Sequence, residues 1–178
     1  MRRITRLLMS EGSAFYQDRR DPSPASGQTE ATRVQAQAAL RNQDCAIRAG
    51  TAPAPHVLVV DDEPMFLELF AEILRPCGVV VSQANDGFQA VDLVRRDAAI
   101  ALAILDWRMP LMSGEKVLDK LLALRPDLKV IVVSGDPPGA IARAFAGRKV
   151  EDFLQKPFRV ESLLIAVQSA LGLPFPVR

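Results

Sequence analysis

From residue 56 onward, short apolar runs alternate with longer mixed segments, whereas residues 1–55 show no such order. The short runs are rich in Val, Ile and Leu, as in the strands of a parallel sheet that are buried on both faces. The sequence therefore predicts five strands: His56–Val60, Val79–Gln83, Ala99–Leu105, Leu128–Val133 and Glu151–Leu154.

The mixed segments between and after these strands have apolar residues at helical spacing. Pro76 and Gly78 end the first of these patterns, as expected for residues that stop a helix. The predicted helices are Pro64–Arg75, Asp86–Arg96, Ser113–Leu124, Asp136–Ala146 and Val160–Leu171. This alternation predicts the α/β class, a (βα)5 doubly wound parallel five-stranded sheet with helices on both faces.

Residues 1–55 are predicted to be a flexible N-terminal extension that is disordered or partly helical. Turn-forming residues fill Asp21–Thr29, and an Ala- and Gln-rich stretch follows them. Two alternatives stay open for this part: a basic amphipathic contact around Arg2–Met9, and adapter action of the whole extension. The folded domain is placed at residues 56–173, with a short tail at 174–178.

Composition and charge narrow the function classes. Apolar residues make up 49% of the chain, which is enough for a folded core. Residues 1–55 carry a formal charge of +3 and the remainder −2, and neither part has the basic excess typical of a nucleic-acid binder. No apolar run approaches the roughly 18 residues of a membrane span. The sequence thus predicts a cytoplasmic monomer or weak dimer that binds neither nucleic acid nor membrane.

Polar residues follow four of the predicted strands. Asp61 and Asp62 come after the first strand, and Asp106, Ser134 and Lys156 come after the third, fourth and fifth. Because open α/β sheets bind ligands at the carboxyl edge, these side chains would form one site if the four strands are neighbours. A divalent ion such as Mg²⁺, a lysine or a shared proton would offset the adjacent carboxylates. A carboxylate at this edge can also be the nucleophile in phosphoryl transfer.

Four motifs occur here in a characteristic order: VVDDEP, LDWRMPLMSGEK, VVSGD and FLQKPF. Each motif alone is weak, but the set is specific. Residues 56–172 therefore resemble the receiver domain of two-component response regulators, which implies a flavodoxin-like receiver fold. Residues 1–55 lie outside this resemblance.

The resemblance implies a role for each acidic residue of the edge. Asp106 would be the phosphoacceptor, and Lys156 would bind the phosphoryl group. Asp62 and Asp106 would bind Mg²⁺ directly, Asp61 would bind it through water, and Arg108 would bind it through its backbone carbonyl.

The resemblance also implies a switch. Ser134 would be the third catalytic residue and, with Phe153, the switch pair. A phosphoryl group adds about −1.5 to −2 units of charge, which would draw Ser134 toward its oxygens and let Phe153 turn inward. The surface around residues 136–154 would then change. A cis peptide between Lys156 and Pro157 is a further expectation.

The implied function is a stand-alone phosphoacceptor response regulator in a two-component phosphorelay. A histidine kinase or histidine phosphotransfer protein would be the phosphodonor, and a downstream protein that the sequence does not identify would be the output partner. The domain would catalyse only its own phosphorylation and dephosphorylation and is not predicted to be a turnover enzyme. The unusual spacing between Gly147 and Phe153 makes it similar to receivers of hybrid sensor kinases.

Two other functions stay open. A pseudo-receiver would bind a protein partner without being phosphorylated, and a phosphatase similar to the haloacid dehalogenases would turn over a phosphate ester. The latter is disfavoured, because the acids are adjacent and no cap-sized insertion is present. Individually, Asp61 and Ser134 have alternative roles as helix caps. Likewise, Lys156 can be read as a surface charge and Phe153 as a core residue.

Overall fold

The described part of the chain forms one parallel five-stranded sheet covered by helices. The computed structural model describes residues 53–137, 139 and 147–173. Its strands are β1 (His56–Val60), β2 (Val80–Ala84), β3 (Ile100–Asp106), β4 (Lys129–Ser134) and β5 (Asp152–Gln155). Its helices are α1 (Pro64–Leu74), α2 (Gly87–Arg96), α3 (Gly114–Leu124) and α4 (Val160–Leu171), with a 3-10 turn at Arg75–Cys77. Most of the predicted helix Asp136–Ala146, the extension before residue 53 and the predicted tail at 174–178 lie outside these residues.

The strand order is β2-β1-β3-β4-β5, and every neighbouring pair is parallel. The chain moves outward from β1 in both directions, which confirms the doubly wound α/β fold. The carboxyl ends of β1, β3, β4 and β5 therefore lie side by side. This is the arrangement that the predicted site requires.

Alternate residues of each strand point to opposite faces, and each face has its own apolar core. On β1, Val57 and Val59 belong to the cluster that includes residues of α1 and α4. Leu58 and Val60 belong to the cluster that includes residues of α2 and α3. Because both faces are covered, the central strands β1, β3 and β4 are apolar runs whose polar side chains lie only at their ends.

The boundaries of most elements differ from the prediction by a single residue. β1 and α4 agree with it, but β2 to β5 each begin and end one residue later. The backbone ladder continues beyond the apolar run, since Asp106 pairs with Val133 and Ser134 pairs with Gln155. Helix α2 starts after Asp86, whose side chain accepts a hydrogen bond from the amide of Gln89 at 2.8 Å.

Gly114 allows α3 to begin directly against the loop that follows β3. Its amide donates to the carbonyl oxygen of Trp107 at 3.1 Å. A Cβ at this position would lie 2.7 Å from the carbonyl oxygen of Asp106 and 2.7 Å from the Cα of Trp107. Glycine is needed here because main-chain atoms occupy the space of a side chain.

We expect Gly114→Ala to lower the free energy of unfolding by about 1–3 kcal/mol, because the added methyl group must displace main-chain atoms. Urea unfolding followed by the fluorescence of the single tryptophan, Trp107, measures this change. Gly135→Ala is the matched control, since a Cβ there meets no heavy atom within 4 Å. Equal stability of the two variants would show that the chain yields at Gly114 without cost.

Candidate functional site

The carboxyl edge of the sheet carries the residues that the sequence singled out. Asp61 and Asp62 follow β1, Asp106 and Ser134 are the last residues of β3 and β4, and Lys156 follows β5. Ligand oxygens of the three acids lie within 4.8 Å of one another. The amide of Lys156 donates to the carbonyl oxygen of Ser134 at 2.7 Å, which places these two residues side by side.

The ammonium group of Lys156 joins the acids of two different strands. Its Nζ lies 2.9 Å from Oδ2 of Asp61 and 2.8 Å from Oδ1 of Asp106. Asp61 is 1% exposed and Asp106 is 5% exposed, so neither charge is well solvated. A buried carboxylate is costly unless a charge partner offsets its lost hydration. Lys156 supplies that partner for both acids.

The second oxygen of each buried carboxylate is also occupied. Oδ1 of Asp61 accepts from the amide of Glu63 at 2.9 Å. Oδ2 of Asp106 accepts from the amide of Arg108 at 2.9 Å. Both amides lie two residues after the acid that they contact, so local backbone turns fix the orientation of the two carboxyl groups.

The electrostatics of the site reflect the burial of opposite charges. Burial raises the pKa of Asp61 to about 6, although the neighbouring ammonium of Lys156 and the amide of Glu63 act to lower it. For Lys156, burial acts to lower the pKa, but the two carboxylates together outweigh it and the pKa rises. The lysine is therefore held as a cation at the centre of the acidic cluster.

The three acids form a suitable donor set for a hard divalent ion. Asp62 is half-buried and extends the group from the two buried carboxylates toward solvent. Mg²⁺ prefers oxygen ligands and retains several waters, so a set of carboxylates with one side toward solvent fits it. Three carboxylates against one ammonium also leave an excess of negative charge.

Arg108 and Asp136 bridge the two loops beside the acids. Nε and Nη2 of Arg108 donate to the two carboxylate oxygens of Asp136 at 2.8 and 2.7 Å. The amide of Asp136 in turn donates to Oγ of Ser134 at 3.0 Å. Ser134 is fully buried, and its hydroxyl oxygen accepts this hydrogen bond in the turn after β4. Its alternative role as a helix cap stays a prediction. The role of the Arg108 carbonyl as a metal ligand stays a prediction.

Two further residues complete the surroundings of Lys156. The peptide between Lys156 and Pro157 is cis, which confirms the sequence expectation. The ring centroid of Phe66, on α1, lies 3.9 Å from Nζ of Lys156. Sequence reasoning assigned Phe66 only to the apolar face of α1. Its position four residues after Asp62 was the one available signal that it faces the site.

Phe153 lies on β5 and is half-buried. It packs against the cluster on the α2 and α3 face of the sheet, which contains Val132 of the neighbouring strand. Its position next to the strand that ends in Ser134 is compatible with the predicted switch pair. The structure equally accommodates the alternative that Phe153 is a core residue.

A family model described as the response regulator receiver domain matches residues 57–168, more than half of the chain. The chain belongs to the response regulator receiver family. Curated relatives of this receiver include the response regulator protein TodT of Pseudomonas putida, 37% identical over 119 residues. Another is the probable transcriptional regulatory protein TcrX of Mycobacterium tuberculosis, 34% identical over 117 residues. The alignments cover 66% of this chain and 51% of TodT, and 65% of this chain and 49% of TcrX.

Solved structures show the same fold. A CheY-like response regulator receiver domain protein from Methanospirillum hungatei matches with a TM-score of 0.63 and 25% identity, covering 67% of this chain and 94% of its own. A response regulator receiver protein from Pseudomonas putida matches with a TM-score of 0.62 and 34% identity, covering 66% of this chain and 98% of its own. The receiver thus accounts for nearly all of these structures, whereas this chain spans about half the length of the curated relatives above. None of the helices in the described ranges is long and apolar enough to cross a membrane.

Replacing Lys156 by Met should lower the free energy of unfolding without divalent ions by about 3 kcal/mol at neutral pH, because two buried carboxylates lose their counter-charge. The loss should shrink as the pH falls toward about 6, because without the ammonium burial raises the pKa of Asp61 above the value of about 6 that it has beside Lys156. Over that range the folded variant takes up a proton at Asp61 before the folded wild type and the unfolded chain do, and this uptake favours folding of the variant. Urea unfolding in EDTA at several pH values measures both effects.

The matched control for this variant is Lys120→Met, which removes an exposed lysine of α3. Its effect on stability should be small and independent of pH in the same range. Equal losses in the two variants would show that Lys156 does not offset the buried acids.

Proposed function

We propose that this receiver accepts a phosphoryl group on Asp106 from a phosphohistidine of a histidine kinase or histidine phosphotransfer protein. The observation that carries the proposal is the convergence of three carboxylates and one ammonium at the carboxyl edge. A carboxylate oxygen of Asp106 would bond to phosphorus as the bond from phosphorus to the donor nitrogen breaks. The imidazole would leave with the electron pair of that bond.

Mg²⁺ is the cofactor that this proposal requires, and the acids fit it. One carboxylate oxygen from each of Asp61, Asp62 and Asp106 lies within 4.8 Å of the other two. Asp62 and Asp106 would bind the ion directly, and Asp61 would bind it through water. The main-chain carbonyl of Arg108 is proposed as a further ligand. When bound, Mg²⁺ would neutralise charge on the acids and on the incoming phosphoryl oxygens.

Lys156 and Ser134 are proposed to bind the phosphoryl group. The Lys156 ammonium already contacts Oδ1 of Asp106, so it is placed to pair with a phosphoryl oxygen on the same carboxyl group. Ser134 ends the neighbouring strand, and its hydroxyl would donate to a second phosphoryl oxygen. Both residues would thereby stabilise charge on the transferred group without exchanging covalent bonds with it.

The output of the domain is proposed to be a change of protein-binding surface. A shift of the Ser134 hydroxyl toward the phosphoryl group would open space beside β4, into which the half-buried ring of Phe153 would turn. The phosphorylated form would then bind, release or compete for a downstream protein. In this scheme the domain catalyses only its own phosphorylation and dephosphorylation.

Asp106→Asn tests the phosphoacceptor. With Mg²⁺ and acetyl phosphate, the wild-type protein should gain the mass of one phosphoryl group, and the variant should gain none because an amide oxygen is a poor nucleophile. Intact mass spectrometry measures the product, and Trp107 fluorescence follows Mg²⁺ binding beforehand. Asp127→Asn, an exposed loop substitution before β4, is the control and should behave as wild type.

A wild-type protein that gains no phosphoryl mass would favour the pseudo-receiver, which binds a partner without modification. Steady release of phosphate from a phosphate ester would instead favour the alternative phosphatase, which resembles the haloacid dehalogenases.

Ser134→Ala tests the second phosphoryl-binding residue. We expect phosphorylation by acetyl phosphate to slow about tenfold, because one hydrogen bond to a charged group is lost in the transition state. Mg²⁺ binding should be unchanged, since Ser134 is not among the acids of the metal site. Ser113→Ala, at an exposed position before α3, is the control. A Ser134→Ala protein that reacts as fast as wild type would leave Ser134 with its turn-capping role alone.

A further inference from the structure

The Lys156 ammonium contacts an aromatic ring as well as two carboxylates. Its Nζ lies 3.9 Å from the ring centroid of Phe66, within the range in which an aromatic face attracts a cation. The side chain of Lys156 is only 18% exposed, so water weakens this attraction less than it would at an open surface. The ring carries no charge and offers no oxygen to a metal ion, which distinguishes it from the two acids.

The two carboxylate partners of Lys156 have competing tasks under the proposed function. Asp61 would contribute to the metal site, and Asp106 would become covalently modified. Metal binding at Asp61 would neutralise part of the charge on that carboxylate. Phosphorylation of Asp106 would use one of its carboxylate oxygens. Each change would weaken the attraction of that carboxylate for the ammonium. The attraction of the Phe66 ring persists through both events, since neither one uses the ring.

The ring is held in register with the acids by the turn that opens α1. The amide of Phe66 donates to the carbonyl oxygen of Glu63 at 2.9 Å. The amide of Glu63 donates to Oδ1 of Asp61 at 2.9 Å. Two hydrogen bonds thus link the backbone of Phe66 to the carboxylate of Asp61. The ring of Phe66 and the carboxylate of Asp61 contact the same ammonium.

We propose that Phe66 is a positioning residue, which holds the Lys156 ammonium in place for the phosphoryl group while Asp61 and Asp106 are engaged. The inference rests on the proposed function and adds to it a residue outside the polar set. Phe66 acts through Lys156, whose ammonium lies over its ring. Without the ring, the flexible four-carbon stem of the lysine would have to be ordered at the moment of transfer.

A purely structural role would give Phe66 the behaviour of its helix neighbour Phe70. Phe70 is 1% exposed and stacks on Phe158 with a centroid distance of 5.7 Å. Phe66 is instead half-buried, packs on the edge of the same cluster and presents its face to a cation. If the ring only fills space, leucine at position 66 should preserve the chemistry.

The first experiment measures the rate of phosphorylation by saturating acetyl phosphate in the full chain, with Mg²⁺, by intact mass. A small donor is used so that partner docking does not contribute. We expect Phe66→Leu to slow the reaction about five- to tenfold and Phe66→Tyr to restore it, because tyrosine keeps the aromatic face. Phe70→Leu is the control. It should lower the midpoint temperature of thermal unfolding without slowing phosphorylation of the folded protein.

Equal rates for wild type and Phe66→Leu would overturn the proposal while leaving the phosphoacceptor assignment intact. The same holds if Phe66→Tyr is as slow as Phe66→Leu. A wild-type protein that gains no phosphoryl mass would overturn the proposed function itself and, with it, the role of the ring in transfer.

The second experiment observes the lysine directly by NMR. The ε-methylene protons of Lys156 should be shifted upfield by the ring in the metal-free protein, and the shift should vanish in Phe66→Leu. On addition of Mg²⁺, the upfield shift should persist in the wild type, because the ring retains the ammonium when Asp61 is engaged. Loss of the shift on Mg²⁺ addition would show that the ring does not hold the lysine, and would overturn the proposal independently of any rate.

Discussion

The ion pairs of Lys156 with Asp61 and Asp106 are the interactions on which the rest of the site depends. Carboxylates at the ends of two adjacent strands repel each other, and burial deprives them of hydration. The single ammonium of Lys156, which follows the edge strand β5, offsets the charge of both carboxylates. The strand order allows this contact, because only β4 lies between β3 and β5.

The offset is incomplete, and this incompleteness suits the proposed chemistry. Asp62 adds a third carboxylate, so the cluster carries more negative than positive charge. Because one lysine alone offsets the acids, a divalent cation could take over part of that role and leave the ammonium free to pair with the oxygens of an incoming phosphoryl group. The scaffold around it does not need to move for this exchange, since the acids stand on strand ends and on tight turns fixed by the amides of Glu63 and Arg108.

The sequence was sufficient for the sheet and for the polar residues of its edge, because both depend on local patterns. A buried parallel strand is an apolar run, and a polar residue at its end interrupts that run. The same logic set the ends of β3 and β4 one residue too early, since the backbone ladder includes Asp106 and Ser134 regardless of their polarity. Side-chain polarity reports burial, whereas strand pairing is a property of the backbone.

Contacts between distant residues lay beyond sequence reasoning. The pair of Arg108 with Asp136 joins two loops 28 residues apart, and a single sequence contains no signal for such pairing. Phe66 was assigned to the core because helical spacing shows which face is apolar, but not which part of that face meets the end of β5. The metal-binding role of the Arg108 carbonyl and the switch role of Phe153 stay predictions from the family resemblance.

β5 is the shortest strand of the sheet and pairs, within the described residues, with β4 alone. Peripheral strands of this kind open more readily than central ones. Since Lys156 follows β5 directly, each opening of this strand would draw the ammonium away from Asp61 and Asp106. By mass action, any ligand that requires Lys156 in place makes such openings rarer. Binding at the site would therefore raise the local stability of β5, even where the average structure stays the same.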